Sequence, residues 1–176
     1  MDVRSLLMLR HAKSDWRLDS GVDDLGRPLA GRGRRAARAV GQALRAAEEV
    51  PDRALVSPAR RAQETLVLAV RAGGWECDVE ICEELYGSPD DVLDAIRRRG
   101  RDARRLMVVG HQPTWSATAS ELANGATLRL PTASVLRLDF DVDDWQALQG
   151  EGHVAWLVTP RLLEGLLERR RLSSSP

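Results

Sequence analysis

The chain has 176 residues, 43% apolar and 30% charged, enough for one domain with a core of its own. Its 26 basic and 26 acidic side chains cancel to a formal net charge of zero, which gives no sign of nucleic acid or a membrane surface as a partner. No run of 18 apolar residues predicts a membrane span, and the N-terminus lacks the pattern of a secretory leader.

The apolar run Leu6–Leu9 predicts the first strand, which stops on Arg10-His11. Asp15 to Pro28 is polar, with Gly21, Gly26 and Pro28, and reads as a loop. Arg32 to Glu49 carries Ala37, Val40, Ala43, Leu44 and Ala47 at helical spacing. Ala54-Leu55-Val56 is a short buried strand. After it, Ser57 is placed to cap a helix over Ala59–Ala72, with Pro58 as its first residue. Glu76–Ile81 alternates as a strand does, and Pro89 opens a helix to Arg99. Leu106–Val109 is the clearest buried strand, followed by a helix from Pro113 to Leu122. Ser134–Phe140 and His153–Val158 predict a hairpin, and Pro160 starts a last helix. Residues 173–176 are expected to fray. Alternating strands and helices imply an α/β fold, a three-layer α/β/α sandwich. Its sheet should be mainly parallel with an antiparallel edge. Residues 1–172 read as one domain.

Cys77 and Cys82 fall on opposite faces of one predicted strand, which argues for two free thiols and a reducing, cytoplasmic compartment. Arg97–Arg99 and Arg169–Arg171 read as solvated helix ends, where cations suit the helix dipole.

Three segments share one grammar of strand, polar turn, then helix or loop. They are Leu9-Arg10-His11-Ala12-Lys13-Ser14, Val56-Ser57-Pro58-Ala59-Arg60-Arg61-Ala62 and Val109-Gly110-His111-Gln112-Pro113. Parallel strands bring their carboxyl ends to one edge, where open α/β folds bind ligands. Arg10, His11, one of Arg60 and Arg61, and His111 would meet there. Two guanidiniums and two imidazoles suit phosphoryl transfer, in which charge on the equatorial oxygens is stabilised and a nucleophile held in line.

These motifs resemble the histidine phosphatase superfamily, the phosphoglycerate-mutase-like fold, and within it the small SixA-type phosphohistidine phosphatases. The resemblance rests on Arg-His-Ala-Lys-Ser, Ser-Pro…Arg-Ala…Thr and Gly-His-Gln-Pro, and on Arg27-Pro28-Leu29 followed by Gly-Arg-Gly. It implies that His11 is the nucleophile and that Arg10, Arg61 and His111 hold the phosphoryl group. Arg61, directly before Ala62, matches the family arginine. Its neighbour Arg60 is turned away by helical geometry. Counting back from Gly87 selects Glu83 as the general acid, with Glu84 the alternative. Where mutase-like members carry an asparagine this chain has Arg17, and Ser14 is placed to contribute a hydroxyl to substrate binding. No metal or cofactor is implied. The stretch from Gly87 to Leu106 leaves little material for a lid, which favours phosphohistidine on a protein as substrate, with Lys13, Arg17 and Arg27 as a docking rim. Small phosphomonoesters or sugar phosphates are the alternative, and a non-catalytic phosphate-binding protein a third reading. Trp16 either lines the pocket mouth or packs on the loop. Trp75, Trp115, Trp145, Trp156 and His153 read as structural.

Overall fold

In the computed structural model, which describes residues 3–16 and 23–173, six strands form one sheet between two helical layers. The strands are β1 (Val3–Arg10), β2 (Arg53–Val56), β3 (Asp78–Ile81), β4 (Arg105–Gly110), β5 (Val135–Asp141) and β6 (His153–Val158). The helices are α1 (Gly31–Ala46), α2 (Arg60–Gly73), α3 (Pro89–Arg99), α4 (Thr114–Leu122) and α5 (Pro160–Ser173). Strand order is β3-β2-β4-β1-β5-β6. The four strands β3, β2, β4 and β1 run parallel, while β5 is antiparallel to both β1 and β6. The predicted α/β sandwich with an antiparallel edge is therefore the observed fold.

β1 shows why central strands of this class read as unbroken apolar runs. Successive side chains point to opposite faces, and both faces are covered. Leu6 and Met8 join a core with Leu106, Val108, Ile96 and Trp115 under α3 and α4. Leu7 and Leu9 join a second core with Met107, Val109, Val40 and Leu66 under α1 and α2. Trp75, Trp115 and Trp145 are buried, and Trp156 packs partly buried against the second core.

Several boundaries differ from the sequence pattern. β3 starts at Asp78 rather than Glu76, because its partner β2 offers only four residues for pairing. α1 stops at Ala46, just before Glu48 enters a left-handed conformation at φ 59°. α2 starts at Arg60, because Ala59 is extended at φ −63° and ψ 131°. Ser57 therefore does not cap α2. Its hydroxyl faces His111 instead. α5 includes Ser173, and residues 174–176 lie outside the described residues.

The register aligns the strand ends that carry the motifs. Arg10 pairs with Gly110 and Val56 with Val109. The His11 amide donates to Gly110 O at 2.9 Å, and the Ser57 amide to Val109 O at 3.0 Å. Gly110 is required where it stands, since a Cβ there would meet the Trp115 ring at 2.1 Å. Between β3 and β4 the described chain holds only a short 3-10 helix, Glu83–Tyr86, and α3.

Candidate active site

The carboxyl ends of β1, β2 and β4 open into a cavity of about 420 Å³ that contains Arg10, His11, Ser14, Arg61 and His111 in its wall. All five are among the residues that the sequence motifs single out. Arg61 reaches it because α2 turns by about 100° per residue. The Arg61 side chain is 7% exposed, whereas its neighbour Arg60 is 59% exposed and pairs with Glu64. Thr65, one turn beyond Arg61, locks α2 to the end of β1. Its hydroxyl donates to Arg61 O at 2.6 Å and accepts the Ala12 amide at 3.0 Å.

The two histidines lie close, with ring centroids 5.1 Å apart. His11 Nδ1 is 2.8 Å from the Ala12 carbonyl oxygen. A carbonyl can only accept, so Nδ1 carries the proton and Nε2 keeps a lone pair. Burial is the main force pushing the His11 pKa down, to about 4, with Arg61, Arg10 and Arg27 adding to it and the Ala12 bond opposing it. His111 is pushed to about 3, first by burial and then by His11, Arg61 and Arg10. Both imidazoles are thus neutral at physiological pH. His111 Nε2 shares a 2.7 Å hydrogen bond with Ser57 Oγ, which leaves Nδ1 buried without a partner.

The polar groups facing this cavity are under-satisfied. Arg10 donates from Nη1 to Leu130 O at 2.8 Å, but its Nε has no partner. Arg27 Nε is also without one. Buried donors of this kind are normally paired, and here several border one cavity. The guanidiniums of Arg10, Arg27 and Arg61 in the cavity wall suit the oxygens of a tetrahedral oxyanion, which guanidinium forks match well. A lone-pair nitrogen beside that anion can attack its central atom.

The segment before α1 contributes a residue that sequence reasoning missed. Asp24 lines the cavity, and its Oδ2 accepts from Arg61 Nη2 at 2.8 Å and from the Tyr86 hydroxyl at 2.5 Å. Its Oδ1 pairs with Arg27, and its backbone oxygen accepts from Arg61 Nη1. Arg27 also stacks on Trp16 at 3.6 Å from the ring centroid. Trp16, 71% exposed, stands at the cavity wall, which favours the pocket-mouth reading of that residue. Tyr86 meets His111 edge-on at 5.2 Å. Asp24 lies in a polar loop without periodicity. Its position three residues before Arg27 was the available signal.

Glu83 is exposed and does not line the cavity. Glu84 is turned toward α3, where Arg99 and the Cys82 thiol hold its carboxyl down at about 2. Arg17 lies outside the described residues. His153 is exposed at the start of β6, and Cys77 and Cys82 are free thiols. Among the described residues no group of three or more His, Cys, Asp or Glu could hold a metal ion, and no helix is long and apolar enough to cross a membrane.

Residues 6–88 match the family model of the histidine phosphatase superfamily, branch 1. A solved structure from Nakamurella multipartitia, provisionally assigned as the phosphohistidine phosphatase SixA, is 32% identical. It covers 91% of this chain and 98% of its own, with a TM-score of 0.79. The chain belongs to the histidine phosphatase superfamily. An uncharacterized protein of Mycobacterium tuberculosis is 37% identical over 148 residues, 84% of this chain and 90% of the relative. A protein histidine phosphatase SixA complexed with tungstate shares the fold at 23% identity, covering 90% of this chain and 99% of that one, with a TM-score of 0.76. Membership in this superfamily makes a phosphorylated compound the class of substrate.

Proposed function

We propose that this protein is a phosphatase that forms a phosphohistidine on His11 and acts on phosphohistidine carried by a protein. In the first step His11 Nε2 attacks phosphorus and the substrate's P–N bond breaks. The substrate imidazole, already protonated on its ring, leaves as neutral imidazole. His11 becomes a phosphorylated imidazolium, its Nδ1 proton held by the Ala12 carbonyl. Water then attacks phosphorus, the P–Nε2 bond breaks, dihydrogen phosphate departs and His11 returns to its neutral form. Arg10 and Arg61 bind the equatorial oxygens. His111, its Nε2 bonded to Ser57 Oγ, stands beside them in the cavity wall.

One observation carries the choice of substrate. Among the described residues, the cavity holds no carboxylic acid free to donate a proton. Glu83 stands outside it, Glu84 is ionised against Arg99, and Asp24 is engaged by two arginines. A leaving alkoxide needs such a donor, whereas a protonated phosphoimidazole does not. The likeness to SixA proteins supports the same reading. So does the absence of an inserted segment between β3 and β4 beyond one 3-10 turn and α3, which leaves room for a protein surface. The cavity volume of about 420 Å³ also admits a small phosphoester, the second reading.

The test is labelling with a phosphohistidine protein, quenched in alkali. Wild type forms an acid-labile phosphoenzyme, and His11→Ala does not. Its absence in wild type would refute the mechanism. Turnover of p-nitrophenyl phosphate or sugar phosphates well above that of the phosphoprotein would overturn the substrate assignment.

A further inference from the structure

The cavity contains an anion of its own. Among the described residues its wall carries four fixed cations, Arg10, Lys13, Arg27 and Arg61, and one carboxylate, Asp24. His11 and His111 in the same wall are neutral imidazoles. Three partners hold that carboxylate between Arg61 and Arg27, with the Tyr86 hydroxyl closing the third side. A carboxyl group between two guanidiniums stays ionised.

The backbone around Asp24 is tied to α2 and to the segment after β1. The Arg60 amide, the first of α2, donates to Leu25 O at 2.8 Å. The Gly26 amide donates to Asp23 Oδ1 at 2.7 Å, and the Asp15 amide to Pro28 O at 2.9 Å. Arg61 also grips the Asp24 backbone oxygen. Arg27 shares this carboxylate with Arg61 and is stacked on Trp16.

We propose that Asp24 is a charge-selectivity residue: it cancels the cation that would recruit a second anionic group beside the phosphate. The pocket thereby disfavours phosphorylated compounds that bear a carboxylate or second phosphate next to the transferred group. It favours a leaving group that is neutral or cationic, as a protonated phosphoimidazole is. The inference rests on the reading that the phosphoryl group binds at His11, but it concerns what lies next to that group.

The test uses two non-hydrolysable ligands, methylphosphonate and phosphonoacetate, which differ by one carboxylate. Calorimetry gives the ratio of their dissociation constants for wild type, Asp24→Asn and Asp24→Glu. The amide of Asn keeps an acceptor for Arg61 and Tyr86 but removes the charge. The ratio should shift toward phosphonoacetate by about tenfold in Asp24→Asn, the size expected for unit charges roughly 10 Å apart at an effective dielectric of about 20. Asp24→Glu, which keeps the charge, should hold the wild-type ratio. A general loss of order would weaken both ligands and leave the ratio alone. If both ligands bind and the ratio moves by less than twofold in Asp24→Asn, the assignment of Asp24 is overturned and the phosphate pocket stands. If neither ligand binds wild type, the pocket itself is refuted, and the inference with it.

Discussion

Acidification is the most quantitative perturbation of this site. His11 is buried as a neutral ring with its pKa lowered to about 4, against 6.5 in an unfolded chain. A lowered histidine pKa means that the folded state binds fewer protons than the unfolded state between those two values. Stability is therefore lost as pH falls through that window, and the contribution is absent above it. At 1.36 kcal/mol per unit, the linkage from His11 costs about 1.2 kcal/mol between pH 7 and 5.5 and about 2.4 kcal/mol by pH 4.5. His111, lowered to about 3, adds to the same window. The two rings are 5.1 Å apart and titrate as a pair, so their costs do not simply sum. The assay is urea unfolding of wild type and His11→Asn at pH 7, 5.5 and 4.5. Wild type should lose about 2 kcal/mol more than the variant across this range. Nitrogen-detected NMR of the wild-type ring should show the Nδ1–H tautomer down to about pH 5. Parallel stability losses in the two proteins, or a His11 midpoint near 6.5, would refute the reasoning.

The paired arginines give a second test. Arg61→Ala removes a buried donor from the phosphate position and should cost at least about 100-fold in kcat/KM, while Arg60→Ala should stay within about twofold, both read by phosphate release. Gly110→Ala should destabilise the protein by about 1–3 kcal/mol in urea unfolding, because the new Cβ overlaps the buried Trp115 ring. A stability change below about 0.5 kcal/mol would mean that Trp115 moves freely, contrary to its packing.

Much of this site was legible in the order of residues. Arg10-His11, Ser57-Pro58 and Gly110-His111 each end an apolar run, and runs of three or four apolar residues closed by a polar turn mark buried strands here. Once strands are parallel, their carboxyl ends must share an edge, so convergence of the three motifs follows from topology alone. The choice of Arg61 over Arg60 also follows, from helical rotation and the family pattern.

Other features were not legible, because they depend on chains distant in sequence meeting side by side. Ser57 has the local look of a helix cap, but its hydroxyl is taken by His111 from another strand. The acidic pair Glu83-Glu84 invites the role of proton donor, yet Arg99 on α3 claims Glu84 and Glu83 faces solvent. Asp24 sits in a loop whose residues follow no period, and its importance arises only when Arg61, Arg27 and Tyr86 close around it.

The sequence by itself thus determined the layered α/β fold and the cluster of two histidines and two arginines, because burial periodicity and strand direction are local properties that sum to a topology. Only the tertiary structure decided the state of those groups. The tautomer and lowered pKa of His11, the partner of Ser57 and the carboxylate among the cations depend on burial and on distances of a few ångströms between residues up to 62 positions apart. Electrostatic energies change steeply over such distances, and no pattern along the chain encodes them.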